Sequence, residues 1–141
     1  MAPVNSDSIV TVTGLDHLVL ITADVDRSLD FYCGLLGLEG DRVDEWRAGD
    51  VPFPSVRIDD TTIIDLFPTA MVDAEGGGSG PGRNLYHFCV TIGPCDLDAV
   101  AASGRVEVVR GPQDHLFGAQ GYATSLYIAD PDGNTVELRS Y

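Results

Sequence analysis

The chain repeats itself, and this limits the folds open to it more than any other feature. His17 and His87 lie 70 residues apart, as do Ile58 and Ile128. Asp65 and Glu137 lie 72 apart, because the DPDGN turn at 130–134 is two residues longer than its counterpart around Asp59-Asp60. A fixed offset of this kind marks a duplicated supersecondary unit. The segment LDHLVLIT (15–22) is a short β-rich run that predicts a buried strand. Asp24 then caps a helix in which Val25, Leu29, Tyr32 and Leu36 recur at near-helical spacing, and Gly37 stops it. Extended stretches follow near 38–47 and 53–58, and TTIIDLFP (61–68) closes the half.

The second half runs the same way. NLYHFCVTI (84–92) is an apolar strand, and Pro94 and Asp96 open a helix that ends at Gly104. RVEVV (105–109), YATSLYIA (122–129) and TVELRSY (135–141) supply three strands, with DPDGN as a strong turn before the last. Each half is therefore β-α-β-β-β. Residues 1–13 form an N-terminal extension, 14–68 a first module, 69–83 a linker and 84–141 a second module, together one α+β domain. The GGGSGPG string marks 69–83 as a flexible connector. No Lys-Ser/Thr follows it and no helix begins there, so it is not a phosphate-binding loop.

Charge narrows the partners. The 141 residues carry 22 acidic and 8 basic side chains, for a formal net charge of −14, and every basic residue is an arginine. Such a surface repels phosphate backbones and anionic headgroups, which argues against nucleic-acid or membrane partners. No apolar run reaches the length of a membrane span. The opening MAPVNSDSIV lacks a basic start and a long apolar core, so the expectation is a cytoplasmic protein with no secretory signal. Cys33, Cys89 and Cys95 form no CxxC pair and are expected as reduced thiols, with Cys89 in the core.

Taken singly, a histidine on a strand is an ordinary core or edge residue, and an acid such as Asp65 or Glu137 is ordinarily solvated or paired. The repeat changes that reading. Asp65 sits inside Ile63-Ile64-Asp65-Leu66-Phe67 and Glu137 inside Thr135-Val136-Glu137-Leu138, both strongly apolar. Burying carboxylates in so acidic a chain is costly unless a cation neutralises them, and there is no lysine to do so. Two imidazoles and two carboxylates related by a pseudo-twofold make a divalent metal site, with zinc, nickel, cobalt, manganese and iron(II) all suited to the donors.

These residues resemble the vicinal oxygen chelate superfamily, which includes glyoxalase I, fosfomycin- and bleomycin-resistance proteins and extradiol dioxygenases. The resemblance covers nearly all of 14–141. It rests on LDHLVL with His17, SLDFYCGLLGLE (28–39), LYHFCV with His87, and YIADPDGNTVELRSY, which is close to the family's FxDPDGNxxEL ending. It implies two βαβββ modules forming half-barrels around one metal, with His17, His87 and Glu137 as ligands. The fourth position maps to Asp65, either a ligand or, being one methylene shorter than glutamate, a neighbouring general base. The implied function is a metal-dependent lyase or isomerase of glyoxalase type, acting on a small substrate that chelates through vicinal oxygens. An iron(II) extradiol-type dioxygenase and a non-catalytic drug-binding protein of bleomycin-resistance type are the alternatives, and a homodimer is expected. No basic cluster awaits glutathione, although Arg27, Arg83 and Arg110 are available. The segment GPQDHLFGAQGY (111–122), with His115, is expected as an exposed loop at the pocket mouth. Trp46, Phe53 and Phe67 are expected as pocket wall or core, while Tyr122 and Tyr127 stay unassigned.

Overall fold

The computed structural model describes residues 15–74, 85, 87–118 and 120–141. The expected extension at 1–13 and most of the glycine-rich linker lie outside the described residues.

The first half contains β1 (His17–Thr22), α1 (Val25–Leu29), β2 (Glu39–Asp41), α2 (Val43–Arg47), β3 (Ser55–Asp59), β4 (Thr62–Pro68) and α3 (Thr69–Ala74). The second contains β5 (Phe88–Thr91), α4 (Leu97–Ala102), β6 (Glu107–Gly118), β7 (Gly121–Ala129) and β8 (Thr135–Ser140). Each half builds one four-stranded sheet, in the orders β1-β4-β3-β2 and β5-β8-β7-β6. In each, the first strand runs parallel to the last and the remaining pairs are antiparallel. The expected α+β architecture of two repeated modules is the one observed. No helix among the described residues is long and apolar enough to cross a membrane.

Both helices that follow a first strand begin on an aspartate cap. The Asp24 carboxylate accepts from the Arg27 N–H at 3.1 Å, and that of Asp96 from the Ala99 N–H at 3.1 Å. The helix expected to run to Leu36 instead widens after α1 into a π-helical turn over Asp30–Leu35, then ends at Gly37 with φ +76°.

Three expectations need correction. The extended stretch near 38–47 is strand only over Glu39–Asp41. Val43 and Trp46, three apart, both pack against the core, a spacing that a helical turn satisfies and a strand does not. The flexible connector at 69–83 begins with the six helical residues of α3. The expected loop at 111–122 is the end of β6 and start of β7. The β6–β7 ladder absorbs its glycine and proline through register shifts between Val108 and Leu116.

The core belongs to both halves. Leu20, Val56, Ile64 and Leu66 from the first sheet join Leu126, Ile128, Val136 and Leu138 from the second in one buried cluster, with Val25, Leu29 and Tyr32 from the first helical segment. Each such side chain, fully buried, stabilises the fold by about 1.5–3 kcal/mol. A cavity of about 680 Å³ between the halves is lined by Tyr32, Ile64, Phe88, Val136 and Leu138, among others. Because strand side chains alternate, the residues between these core positions point the other way. The core faces of the two sheets share one interior, and Asp65 and Glu137 project from the opposite faces.

The DPDGN turn fastens the halves together. Asp130 Oδ1 accepts from the N–H groups of Asp132 and Asn134 at 2.9 and 2.8 Å, which closes the turn on itself. Its Oδ2 accepts the Tyr32 hydroxyl at 2.8 Å, while Asp132 accepts the Ala23 N–H at 2.8 Å and the Ser28 hydroxyl at 3.3 Å.

Candidate metal centre

The first cluster stands on the β1–β4 pair, where Val19 is in register with Asp65 and His17 with Ile63. His17 and Asp65 are therefore offset by two positions on neighbouring strands and share a face. The His17 Nδ1 lies 2.7 Å from Asp16 Oδ1. With Nδ1–H donating to that carboxylate, the Nε2 lone pair is left for a metal. The Asp16 hydrogen bond also holds the His17 pKa above its ordinary value, against partial burial and with help from the charges of Asp65 and Asp16. Asp65 is buried, and one of its oxygens accepts the Ser55 hydroxyl at 2.6 Å. Phe67, two residues further on, packs its ring 4.5 Å from that of Phe53.

The second cluster stands on β5–β8, where Cys89 is in register with Glu137 as Val19 is with Asp65. His87, one residue before β5, places Nε2 3.1 Å from Glu137 Oε1. Oε2 of the same carboxylate accepts the Ser125 hydroxyl at 2.7 Å and Arg139 Nη1 at 3.4 Å. Burial pushes the Glu137 pKa up, but hydrogen bonds from Ser125, Tyr127 and Cys89 and the His87 charge outweigh it, so Glu137 sits below the ordinary carboxylate range. Tyr127 meets the His87 ring edge-on at 5.4 Å, and the Arg110 guanidinium lies 4.0 Å from the centre of the Tyr127 ring.

The donors fit a divalent ion. Two ligands each about 2.0–2.2 Å from one metal, at tetrahedral to octahedral angles, are themselves about 2.9–3.5 Å apart. His87 Nε2 and Glu137 Oε1, at 3.1 Å, meet that spacing. Among the described residues of one chain, no group of three or more His, Cys, Asp or Glu side chains is placed to hold a metal ion. His87 is joined to Glu137, and His17 feels the charge of Asp65, but the pairs occupy separate sheets.

Cys89, expected in the core, is exposed. Parity explains this: Phe88 and Val90 pack against the core, which turns Cys89 to the Glu137 face. Desolvation and the Glu137 charge push its thiol up to about 12, so it is not a thiolate at neutral pH. His115 is exposed as expected, but on β6, stacked on Tyr122 with ring centres 4.1 Å apart.

Sequence reasoning missed Asp16, Ser55, Ser125 and Arg139 and left Tyr127 unassigned. The two serines carried a signal, since they are separated by the same 70 residues as the histidines. Ser55 faces Asp65 directly across the ladder, whereas Ser125 faces Arg139 and reaches Glu137 diagonally. The longer glutamate side chain spans that extra step.

A family model described as Glyoxalase/Bleomycin resistance protein/Dioxygenase superfamily matches residues 14–138. Virulence protein STM3117 of Salmonella typhimurium is 30% identical over 90% of this chain and 83% of its own length. Its crystal structure superposes with a TM-score of 0.67, at 24% identity, over 94% of this chain and 99% of that one. A probable lactoylglutathione lyase of Synechocystis sp. is 26% identical over 86% of this chain and 91% of its own. A catechol-2,3-dioxygenase of Bacillus subtilis is 27% identical over 89% of this chain but only 41% of its own length.

Proposed function

The chain belongs to the Glyoxalase/Bleomycin resistance protein/Dioxygenase superfamily, and from that premise we propose that it is a divalent-metal-dependent enzyme of the glyoxalase lyase/isomerase type. Its substrate is a small molecule that offers two vicinal oxygens. The observation that carries this reading is the His87–Glu137 pair, with Nε2 and Oε1 3.1 Å apart and Oε2 held elsewhere. His17, His87 and Glu137 hold the ion, and Asp65 completes the set or stands beside it.

The site forms between two copies of the chain. Each copy carries one donor pair on the outer face of each sheet, away from the shared core. A twofold dimer that sets the first sheet of one copy against the second sheet of the other joins the pairs twice, giving two equivalent sites.

The bound ion supplies Lewis-acid polarisation of the substrate oxygens. The chain supplies the rest. Asp16 fixes the His17 tautomer, and Ser125 and Arg139 hold Oε2 of Glu137 so that Oε1 faces His87. Asp65 has one oxygen occupied by Ser55, and its other oxygen is the one to take a proton from substrate carbon and return it to the neighbouring carbon. Its buried setting keeps that transfer away from bulk water.

The relative named catechol-2,3-dioxygenase supports a second reading, in which the same two-histidine, one-carboxylate set holds iron(II) and a catechol is cleaved with oxygen. The chain spans less than half of that relative, which places this reading second.

Elemental mass spectrometry of gently purified protein tests the proposal. Near-stoichiometric divalent metal that a His17→Ala, Glu137→Ala double variant loses is the expected result. Turnover without oxygen, on several metals, selects the isomerase, and strict dependence on iron(II) and oxygen selects the dioxygenase. Protein that stays metal-free after reconstitution with each candidate ion contradicts both and favours a drug-binding role.

A further inference from the structure

We propose that Arg139 is a positioning residue that ties the β6–β7 hairpin to Glu137, so that one guanidinium sets both which carboxylate oxygen faces His87 and the hairpin bearing His115, Phe117 and Tyr122. The inference rests on the metal-site reading above and adds to it a link between metal ligand and hairpin.

Arg139 follows Glu137 by two positions on β8 and shares its face, yet only 3% of it is exposed. Its Nη1 donates to Glu137 Oε2 at 3.4 Å. Its Nη2 donates to the carbonyl of Gly121 at 2.7 Å and to that of Leu116. These carbonyls belong to opposite strands of the hairpin, close to where Gly118 pairs with Gly121. The guanidinium thus bridges the hairpin neck and reaches back to the carboxylate, with the Tyr141 ring centre 4.8 Å away.

Two features point beyond a stabilising role. Among the described residues the buried Nε of Arg139 finds no acceptor, an unfavourable use of a desolvated cation. For stability alone, a well-packed apolar side chain serves such a place as well or better. The first sheet, moreover, has no counterpart: two residues after Asp65 stands Phe67, packed on Phe53. Among the described residues, one carboxylate of the repeat is hydrogen-bonded by a serine, and the other by a serine and an arginine on the same oxygen. That arrangement leaves Glu137 Oε1 to His87, and the rigid fork of a guanidinium reaches three acceptors that a single ammonium does not.

The test pairs Zn(II) titration calorimetry with amide hydrogen exchange over 113–123, on metal-free wild type, Arg139→Met, Arg139→Lys, Glu137→Gln and Thr124→Ala. Thr124 donates to Asp114 at 2.8 Å within the hairpin, away from Glu137, so its variant loosens the hairpin alone. Arg139→Met is expected to speed exchange over 113–123 and weaken Zn(II) binding by about 10–100-fold. Arg139→Lys moves both readouts in the same direction and carries the test if the methionine variant does not fold. Thr124→Ala speeds exchange with affinity unchanged. Wild-type affinity in an Arg139 variant whose hairpin has loosened overturns the proposal. Glu137→Gln, read without metal, is expected to speed hairpin exchange, and unchanged exchange there also overturns it. Wild type that binds no Zn(II) defeats the metal reading instead, and the exchange arm still decides the link between Glu137 and the hairpin.

Discussion

The side chains around the two carboxylates divide their labour. Asp16 and Ser125 touch the proposed ligands His17 and Glu137 without being proposed as ligands themselves, and their removal has a distinct signature. Asp16→Asn leaves no anion on the His17 Nδ1–H, and it is expected to weaken Zn(II) binding about 10–100-fold with little change in thermal stability. Titration calorimetry beside thermal unfolding checks this, and unchanged affinity contradicts the role given to Asp16. Tyr32 belongs to the fold rather than the site. Burial, then the Asp130 charge and hydrogen bond, raise its phenol well above the ordinary value. A raised folded-state pKa means that the stabilisation is whole below about pH 10, the ordinary tyrosine value, and is lost as pH climbs from there. Tyr32→Phe is therefore expected to unfold less steeply with pH above about 10 than wild type, while costing about 1–3 kcal/mol at neutral pH because Asp130 loses a buried donor. Denaturant melts at several pH values test both halves of that statement. The four residues singled out by the repeat were legible because an acid inside an apolar strand is conspicuous. Their partners were harder to see: Ser55 and Ser125 share the 70-residue offset but look like any strand serine until the fold sets Ser55 across from Asp65 and brings Ser125 diagonally to Glu137.

At the scale of elements, the proposed donors lie on or next to the first and last strand of each half, and the pieces between them carry the variation. The repeat made the strands readable, since β1, β4, β5 and β8 hold the apolar runs at matching offsets. The 111–122 segment was misread because glycine, proline and polar residues signal a loop, whereas tertiary pairing with β7 overrides that local preference. Gly111 shows how: its φ of +94° suits glycine, and a Cβ there would meet the Ser125 carbonyl oxygen at 2.9 Å. Gly111→Ala is expected to destabilise the protein by about 1–3 kcal/mol. The strand it presses on bears Ser125, so metal affinity falls as well. Loss of stability with full affinity would show that Ser125 does not set the carboxylate.

For the whole molecule, the DPDGN turn is the instructive part. As part of YIADPDGNTVELRSY it helps carry the family resemblance, yet in the fold it is a clasp, with Asp130 and Asp132 gripping Tyr32, Ala23 and Ser28 of the other half. That clasp and the common core hold the two sheets with their core faces inward, which sends the two donor pairs outward. The offset of histidines and acids picked out the proposed donors, but sheet orientation is a tertiary property that spacing does not encode. Cross-subunit assembly has a direct consequence. If each site takes His17 from one copy and Glu137 from the other, a mixed dimer of His17→Ala and Glu137→Ala chains carries one site with both lesions and one with neither. The two single variants, each unable to bind metal alone, are therefore mixed, exchanged through mild denaturant and titrated with Zn(II). Recovery of about a quarter of wild-type sites is expected for random pairing of a twofold dimer. No recovery, with mixed dimers confirmed by native mass spectrometry, contradicts a site built between two copies.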